Sequence, residues 1–168
     1  METMKYIFGP VPSRRLGNSL GISPIPRKTC NYSCIYCQLG RTDKMIGDRR
    51  EFFKLEEIIK EFKIYLKHSD KFDVITIVGV GEPTLYSRLG DLIKKIKSFT
   101  DKPVAVITNG ALLHDSKVRE ELYEADIVLP SLDGYNQETA KKIDRPLGYI
   151  QFEDELNGLI KFSHEYKG

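Results

Sequence analysis

The chain has 168 residues, 40% of them apolar and 30% charged, with a net charge of +2. That length buries one substantial core and argues against two domains, and no apolar run approaches the ~20 residues of a membrane span. The opening M-E-T-M-K-Y-I-F-G-P lacks the apolar stretch of a signal peptide, which points to a cytoplasmic protein whose thiols stay reduced.

Residues 5–8 and 19–23 read as two short strands, separated by the turn-rich G-P-V-P-S-R-R-L-G-N. Tyr6 and Phe8 are expected in the core. Pro24 and Pro26 then stop the second strand, and an irregular stretch runs to about Arg50. So long a loop in a compact domain is usually functional. Beyond it Leu55, Ile58, Ile59, Phe62 and Leu66 fall at helical spacing, followed by a β-branched strand at 72–78 that ends in G-V-G-E-P. A second helix carries Leu89, Leu92, Ile93 and Ile96, a strand covers 104–108, and a shorter helix carries Val118, Leu122 and Ala125. A strand at 127–132, a short helix from about 137 to 143 and a last helix beginning with Phe152, Leu156, Leu159 and Ile160 complete the chain. Near-continuous apolar strands alternating with amphipathic helices predict an α/β protein, a parallel sheet covered by helices. Polar residues gather where the strands end, at Gly81-Glu82-Pro83, Thr108-Asn109-Gly110 and Ser131 with Asp133. Ligands bind at the carboxyl ends of parallel strands.

All three cysteines, Cys30, Cys34 and Cys37, lie within eight residues in T-C-N-Y-S-C-I-Y-C-Q-L-G. Thiolates are soft donors that select zinc, copper(I) or iron-sulfur centres. A closed zinc site needs a fourth ligand, which His68, His114 or His164 could supply only from far along the chain. A four-iron cluster also takes four ligands; three from protein leave one iron open.

The Cys-x3-Cys-x2-Cys spacing, with Tyr36 before the last cysteine, resembles the signature of the radical S-adenosylmethionine (radical SAM) enzymes. Together with G-P-V-P-S-R-R-L-G at Gly9 to Gly17 it is similar to a branch of that superfamily related to wyosine-type tRNA modification enzymes. The resemblance implies a six-repeat open (βα) barrel with helices outside, and the four clear strands counted after a short N-terminal hairpin make the expectation a partial parallel (βα) barrel, short of the C-terminal strands of the full one. It implies a 4Fe-4S cluster on Cys30, Cys34 and Cys37, with S-adenosylmethionine on the open iron, and reductive cleavage to a 5′-deoxyadenosyl radical that abstracts hydrogen from a substrate. By the same resemblance Tyr36 contacts adenine through its backbone, and Gly81 and Glu82 bind the methionyl ammonium. Thr108, Asn109, Ser131 and Asp133 fall where the family contacts ribose, carboxylate or substrate. Val80 departs from the glycine that many relatives carry before Gly81.

Residues 1–50 hold nine Lys or Arg against three Asp or Glu, a net +6, so the remaining 17 basic and 21 acidic residues leave −4. Such asymmetry attracts anions. The bland reading is a solvated basic surface, or charge that offsets an anionic cluster. The resemblance implies an external electron donor of flavodoxin or ferredoxin type, and with the basic N-terminal stretch it makes a tRNA or a phosphorylated small molecule the expected substrate. Arg14 and Arg15 are read either as phosphate or carboxylate ligands or as surface charges. An unprotected sheet edge predicts a homodimer. The alternative is a non-catalytic iron-sulfur or zinc-binding module with a truncated barrel.

Overall fold

The computed structural model describes residues 4–69 and 71–168; the first three positions of the N-terminal reading lie outside the described residues. Strand β1 (Ile7–Ser13) pairs antiparallel with β2 (Gly17–Ile22). From β2 the sheet continues in parallel through β5 (Val74–Ile77), β6 (Val104–Thr108) and β7 (Ile127–Pro130), in the order β1-β2-β5-β6-β7. Between β2 and β5 lie two strands of two residues each, β3 (Thr29–Cys30) and β4 (Lys44–Met45), paired parallel in a small sheet of their own.

The expected alternation of strands and helices is present, and α1 (Leu55–His68), α2 (Leu89–Lys97), α3 (Ser116–Leu122), α4 (Gln137–Ile143) and α5 (Phe152–Glu165) follow their strands in that sequence. Ile58 and Phe62 of α1, Leu92, Ile93 and Ile96 of α2 and Val118 and Leu122 of α3 are buried against the sheet residues Leu20, Ile22, Ile75, Ile77, Val104 and Val106 in one core. All four residues of β5 are buried, whereas all four of β7 are only half-buried. Burial thus falls off toward the β7 side of the sheet.

Only β6 has the bounds read from the sequence: β2 covers Gly17–Ile22 rather than 19–23, β5 covers Val74–Ile77 rather than 72–78, and β1 and β7 differ as well. The first strand is longer, because Pro10 and Pro12, which cannot donate to a ladder, sit on an edge strand with a register break between Phe8 and Val11. Phe8 is 41% exposed rather than in the core, its ring lying across its cross-strand partner Gly21. Its neighbour Tyr6 is buried, and the Glu61 carboxylate of α1 accepts hydrogen bonds from the backbone N–H groups of Tyr6 and Ile7 at 2.7 and 2.9 Å. The last strand is shorter and ends at Pro130, so that Ser131 and Asp133 fall in the loop after it.

Candidate metal centre and cofactor site

The carboxyl ends of β2, β5, β6 and β7 face one side of the sheet, and the cysteine loop leaves the end of β2 to cross it. Two backbone hydrogen bonds stitch this loop to the segment after β5: Lys28 N–H donates to Val80 O at 2.5 Å and Glu82 N–H to Thr29 O at 3.1 Å. The approach is so close that a Cβ on Gly81 would overlap the Thr29 carbonyl, and one on Gly79 would meet the Ile25 side chain. Both glycines are therefore demanded by chain against chain. The β3–β4 pair brackets the three cysteines, and Ile46 N–H donates to Cys30 O at 3.1 Å.

A second clasp comes from the connection between α4 and α5, more than a hundred residues away. Ser33 N–H donates to Asp144 O, Ile35 N–H to Ile143 O and Leu147 N–H to Asn31 O, each at 2.8 to 2.9 Å. Beneath, Tyr32, Ala111 and Ile150 form a small apolar cluster against which Cys30, Cys34 and Leu147 pack. The Tyr32 hydroxyl donates to Glu155 Oε2 of α5 at 2.8 Å, and the Thr42 hydroxyl donates to Tyr32 O at 2.6 Å. Asp144, Leu147 and Glu155 were not singled out by the sequence. The only local signal was the D-R-P-L-G turn at Asp144 to Gly148, and their partners in the cysteine loop lie too far along the chain for any periodicity to reveal.

The three thiols line one cavity of about 140 Å³, with Tyr32, Thr42, Gly79, Val80 and Gly81 also in its walls. All three cysteines are free. Burial pushes the Cys30 thiol up to about 12, reinforced by the nearby charge of Glu82, and burial with the charge of Asp144 pushes Cys34 up to about 12. These two thiols keep their protons in the metal-free protein, so metal uptake must displace them. Among the described residues no three or more His, Cys, Asp or Glu are placed to hold a metal ion. A cubane asks for one thiolate on each of three irons rather than convergence on one centre, and three thiols around a shared cavity fit that demand. The Asn31 amide also fits it. Asn31 is fully buried beside Cys30, and its Nδ2 finds no partner among the described residues, leaving a donor for sulfur.

Glu82 is buried, and its carboxylate accepts from Thr84 N–H at 3.0 Å, from the Thr84 hydroxyl, from the Thr108 hydroxyl at 2.6 Å and from Asn109 N–H at 2.8 Å. Burial pushes its pKa up while the Thr108 hydrogen bond pulls it back down. The Glu82 side chain thus ties the end of β5 to the end of β6. Thr108, also buried, completes that tie and accepts from Gly110 N–H. Asn109 reaches the cysteines: its Nδ2 donates to Asn31 Oδ1 at 2.7 Å and lies 3.8 Å from Cys30 Sγ. Ser131 N–H donates to Thr108 O at 3.0 Å. Asp133 accepts from the hydroxyl of Tyr36, a residue 57% exposed on the outer wall of the loop. Gly81 thus lines the cysteine cavity and Asn109 reaches Cys30, Glu82 and Thr108 tie the strand ends behind them, Asp133 is joined to the cysteine loop through Tyr36, and Ser131 meets the Thr108 carbonyl. Arg14 and Arg15 stand apart, in the turn that opens β2, so the whole of that strand, roughly 20 Å, separates them from its carboxyl end.

A sequence profile described as the Radical SAM superfamily matches residues 25–162, which span the cysteine loop and every parallel strand after it. The chain belongs to the radical SAM superfamily. It is 50% identical over 164 residues to a protein of Brachyspira hyodysenteriae called GTPase Obg, covering 98% of this chain and 24% of that one. It is 41% identical over 167 residues to UPF0026 protein slr1464 of Synechocystis, covering 99% of this chain and 62% of that one. The chain thus spans from about a quarter to about three fifths of the length of these relatives. Among solved structures it resembles archaeal TYW1 in fold, with a TM-score of 0.55 at 21% identity, over 89% of this chain and 52% of that one. Radical SAM proteins are enzymes that use a 4Fe-4S cluster and S-adenosylmethionine and generally need an external reductant. No helix among the described residues is long and apolar enough to cross a membrane.

Proposed function

We propose that this chain carries the radical-generating site of an enzyme whose substrate is a tRNA base. The observation behind this reading is the cavity shared by Cys30, Cys34 and Cys37 and walled by Gly79, Val80 and Gly81. Cys30, Cys34 and Cys37 would hold the cluster, with S-adenosylmethionine on its remaining iron. When bound, that pair supplies one-electron reductive cleavage of the sulfonium and a 5′-deoxyadenosyl radical for hydrogen abstraction.

The chain's own residues do the rest. The Gly79–Gly81 backbone would hold the methionyl ammonium, and Glu82, tied to Thr84, Thr108 and Asn109, would act by fixing that backbone. Asn109 directs an amide donor at the Cys30 sulfur, which tunes its electron density, while Asn31 Oδ1 holds the Asn109 amide and its own buried Nδ2 is left without a partner among the described residues. Tyr36 and Asp133 form the outer rim toward adenine and substrate, with Ser131 beside them. The apolar floor of Tyr32, Ala111 and Ile150 keeps water from the cluster side of the cavity.

The tRNA reading is supported by the similarity of the cysteine stretch to wyosine-type enzymes and by Arg27, Lys28, Arg41 and Lys44 flanking the cysteines. An acidic one-electron donor of flavodoxin or ferredoxin type suits the same basic surface. Three free thiols are consistent with a reducing compartment such as the cytoplasm. We take residues 1–168 as one radical SAM domain in which β7, half-buried and last in the sheet order, is the edge at which a fuller barrel would continue.

The test is anaerobic incubation of the reconstituted protein with dithionite and S-adenosylmethionine, with and without unfractionated tRNA, followed by mass spectrometry for 5′-deoxyadenosine. The reading expects product, in greater amount with tRNA. A fully reconstituted protein that forms none would instead be a cluster-binding module without turnover.

A further inference from the structure

Beside the cysteine cavity, on the outer side of the loop, lies an open cavity of about 630 Å³ lined by Ser33, Arg41, Thr42, Asp43, Met45 and Arg145. Thr42 belongs to the walls of both cavities. Arg41 and Arg145 are exposed, and neither forms an ion pair with the described residues, whereas the one acid of this lining, Asp43, already faces Lys28 Nζ at 3.6 Å. The Ser33 oxygen accepts from Thr42 N–H at 3.2 Å, which leaves its own O–H free to donate outward.

The backbone at Arg145 is the second observation. Its φ is +46°, a left-handed conformation that costs a non-glycine residue about 1 kcal/mol or more. The turn is held from both sides, by Arg145 N–H donating to Ala140 O at 3.3 Å and by Ser33 N–H donating to the carbonyl of the preceding Asp144. Glycine would relieve the strain, yet the position carries an arginine that lines the same cavity as Arg41. Two guanidinium groups and a hydroxyl donor lining one cavity suit the tetrahedral oxygens of phosphate.

We propose that Arg41 and Arg145, with the Ser33 hydroxyl, form a phosphate-binding subsite that receives a phosphate group of the substrate next to the cysteine cavity. It rests on the radical-enzyme reading for the placement of substrate at this end of the sheet, and it names the anchor that would hold that substrate. The phosphate could belong to a polynucleotide or to a free nucleotide, and the two are separable by experiment.

Fluorescence anisotropy with labelled tRNA, and separately with a labelled GTP analogue, would be measured across a salt series for the unaltered chain and for Arg41→Gln, Arg145→Gln and Arg145→Gly. The glycine variant removes the guanidinium while accepting the left-handed backbone, so it should melt no lower than the parent. Lys67→Gln, at the far end of α1, is the control for general basic charge. Each arginine variant should weaken binding about three- to tenfold and lower the salt slope by about 1, with Lys67→Gln nearly silent. Loss confined to tRNA assigns the subsite to polynucleotide phosphates, loss confined to the GTP analogue assigns it to a free nucleotide, and loss of both assigns it to the phosphate they share. Affinities unchanged by all three arginine variants, or no binding of either probe to the unaltered chain, overturns the proposal. Failure of the radical reading would look different: no 5′-deoxyadenosine, whatever the RNA affinity.

Discussion

Glu155 lies at the base of the site on α5, and only 5% of it is exposed. Burial pushes its carboxyl up to about 7, although the Tyr32 hydrogen bond pulls the other way. A carboxyl whose folded pKa exceeds its unfolded value binds its proton more tightly when folded. Its contribution to stability is complete below the unfolded pKa and lost as pH rises through about 7. The metal-free chain should therefore lose on the order of 2 to 3 kcal/mol between pH 5 and pH 8 from this group, and Glu155→Gln should flatten that slope in urea titrations at the two pH values. An equal slope in both proteins would mean that Glu155 is ionised in the fold. Glu82 makes the opposite kind of residue-scale case. Its four accepted hydrogen bonds are all internal, so Glu82→Ala strands buried donors at about 1 to 3 kcal/mol each at most. The expected outcome is weaker S-adenosylmethionine binding by equilibrium dialysis with iron content retained, whereas Cys34→Ala should lose iron and S-adenosylmethionine together. The spacing of Cys30, Cys34 and Cys37 was legible because ligand spacing is local. The engagement of Glu82 by Thr108 and Asn109 was not, because nothing in G-E-P or T-N-G says that one side chain reaches the other.

At the scale of elements, the helices and parallel strands were readable because burial imprints a period on neighbouring residues, as in Leu89, Leu92, Ile93 and Ile96 of α2. The β3–β4 pair left no such imprint: two residues a side are too few for a period. The clasp of the cysteine loop by Ile143, Asp144 and Leu147 uses backbone groups and is silent in side-chain identity. These contacts give glycine substitutions a clear ordering. Gly81→Ala places a methyl group on the Thr29 carbonyl, so the stitched loops must separate. Gly40 has φ +76° but nothing within 4 Å of an added Cβ, and Gly40→Ala carries only the left-handed backbone cost of about 1 kcal/mol. Gly81→Ala should thus lower the melting temperature clearly more than Gly40→Ala and reduce iron uptake on reconstitution. Equal melting temperatures would show that the loop after β5 can move away from Thr29 without penalty.

For the whole molecule, the sheet runs from an antiparallel hairpin edge at β1 to β7, whose four residues are half-buried. A strand that pairs on one side only presents unsatisfied N–H and C=O groups to any partner. The 168-residue chain should accordingly self-associate through β7, with a sedimentation coefficient that rises with concentration. A monomer at all concentrations would count against an open edge. The central claim is that three cysteines around one cavity hold a cluster with an iron left for S-adenosylmethionine. Iron analysis of the anaerobically reconstituted protein, combined with electron paramagnetic resonance of its dithionite-reduced form before and after S-adenosylmethionine, tests it most directly. The account predicts about four irons per chain and a spectrum that changes when S-adenosylmethionine is added. Bound zinc with a histidine as its fourth ligand, or a cluster spectrum indifferent to S-adenosylmethionine, would contradict it.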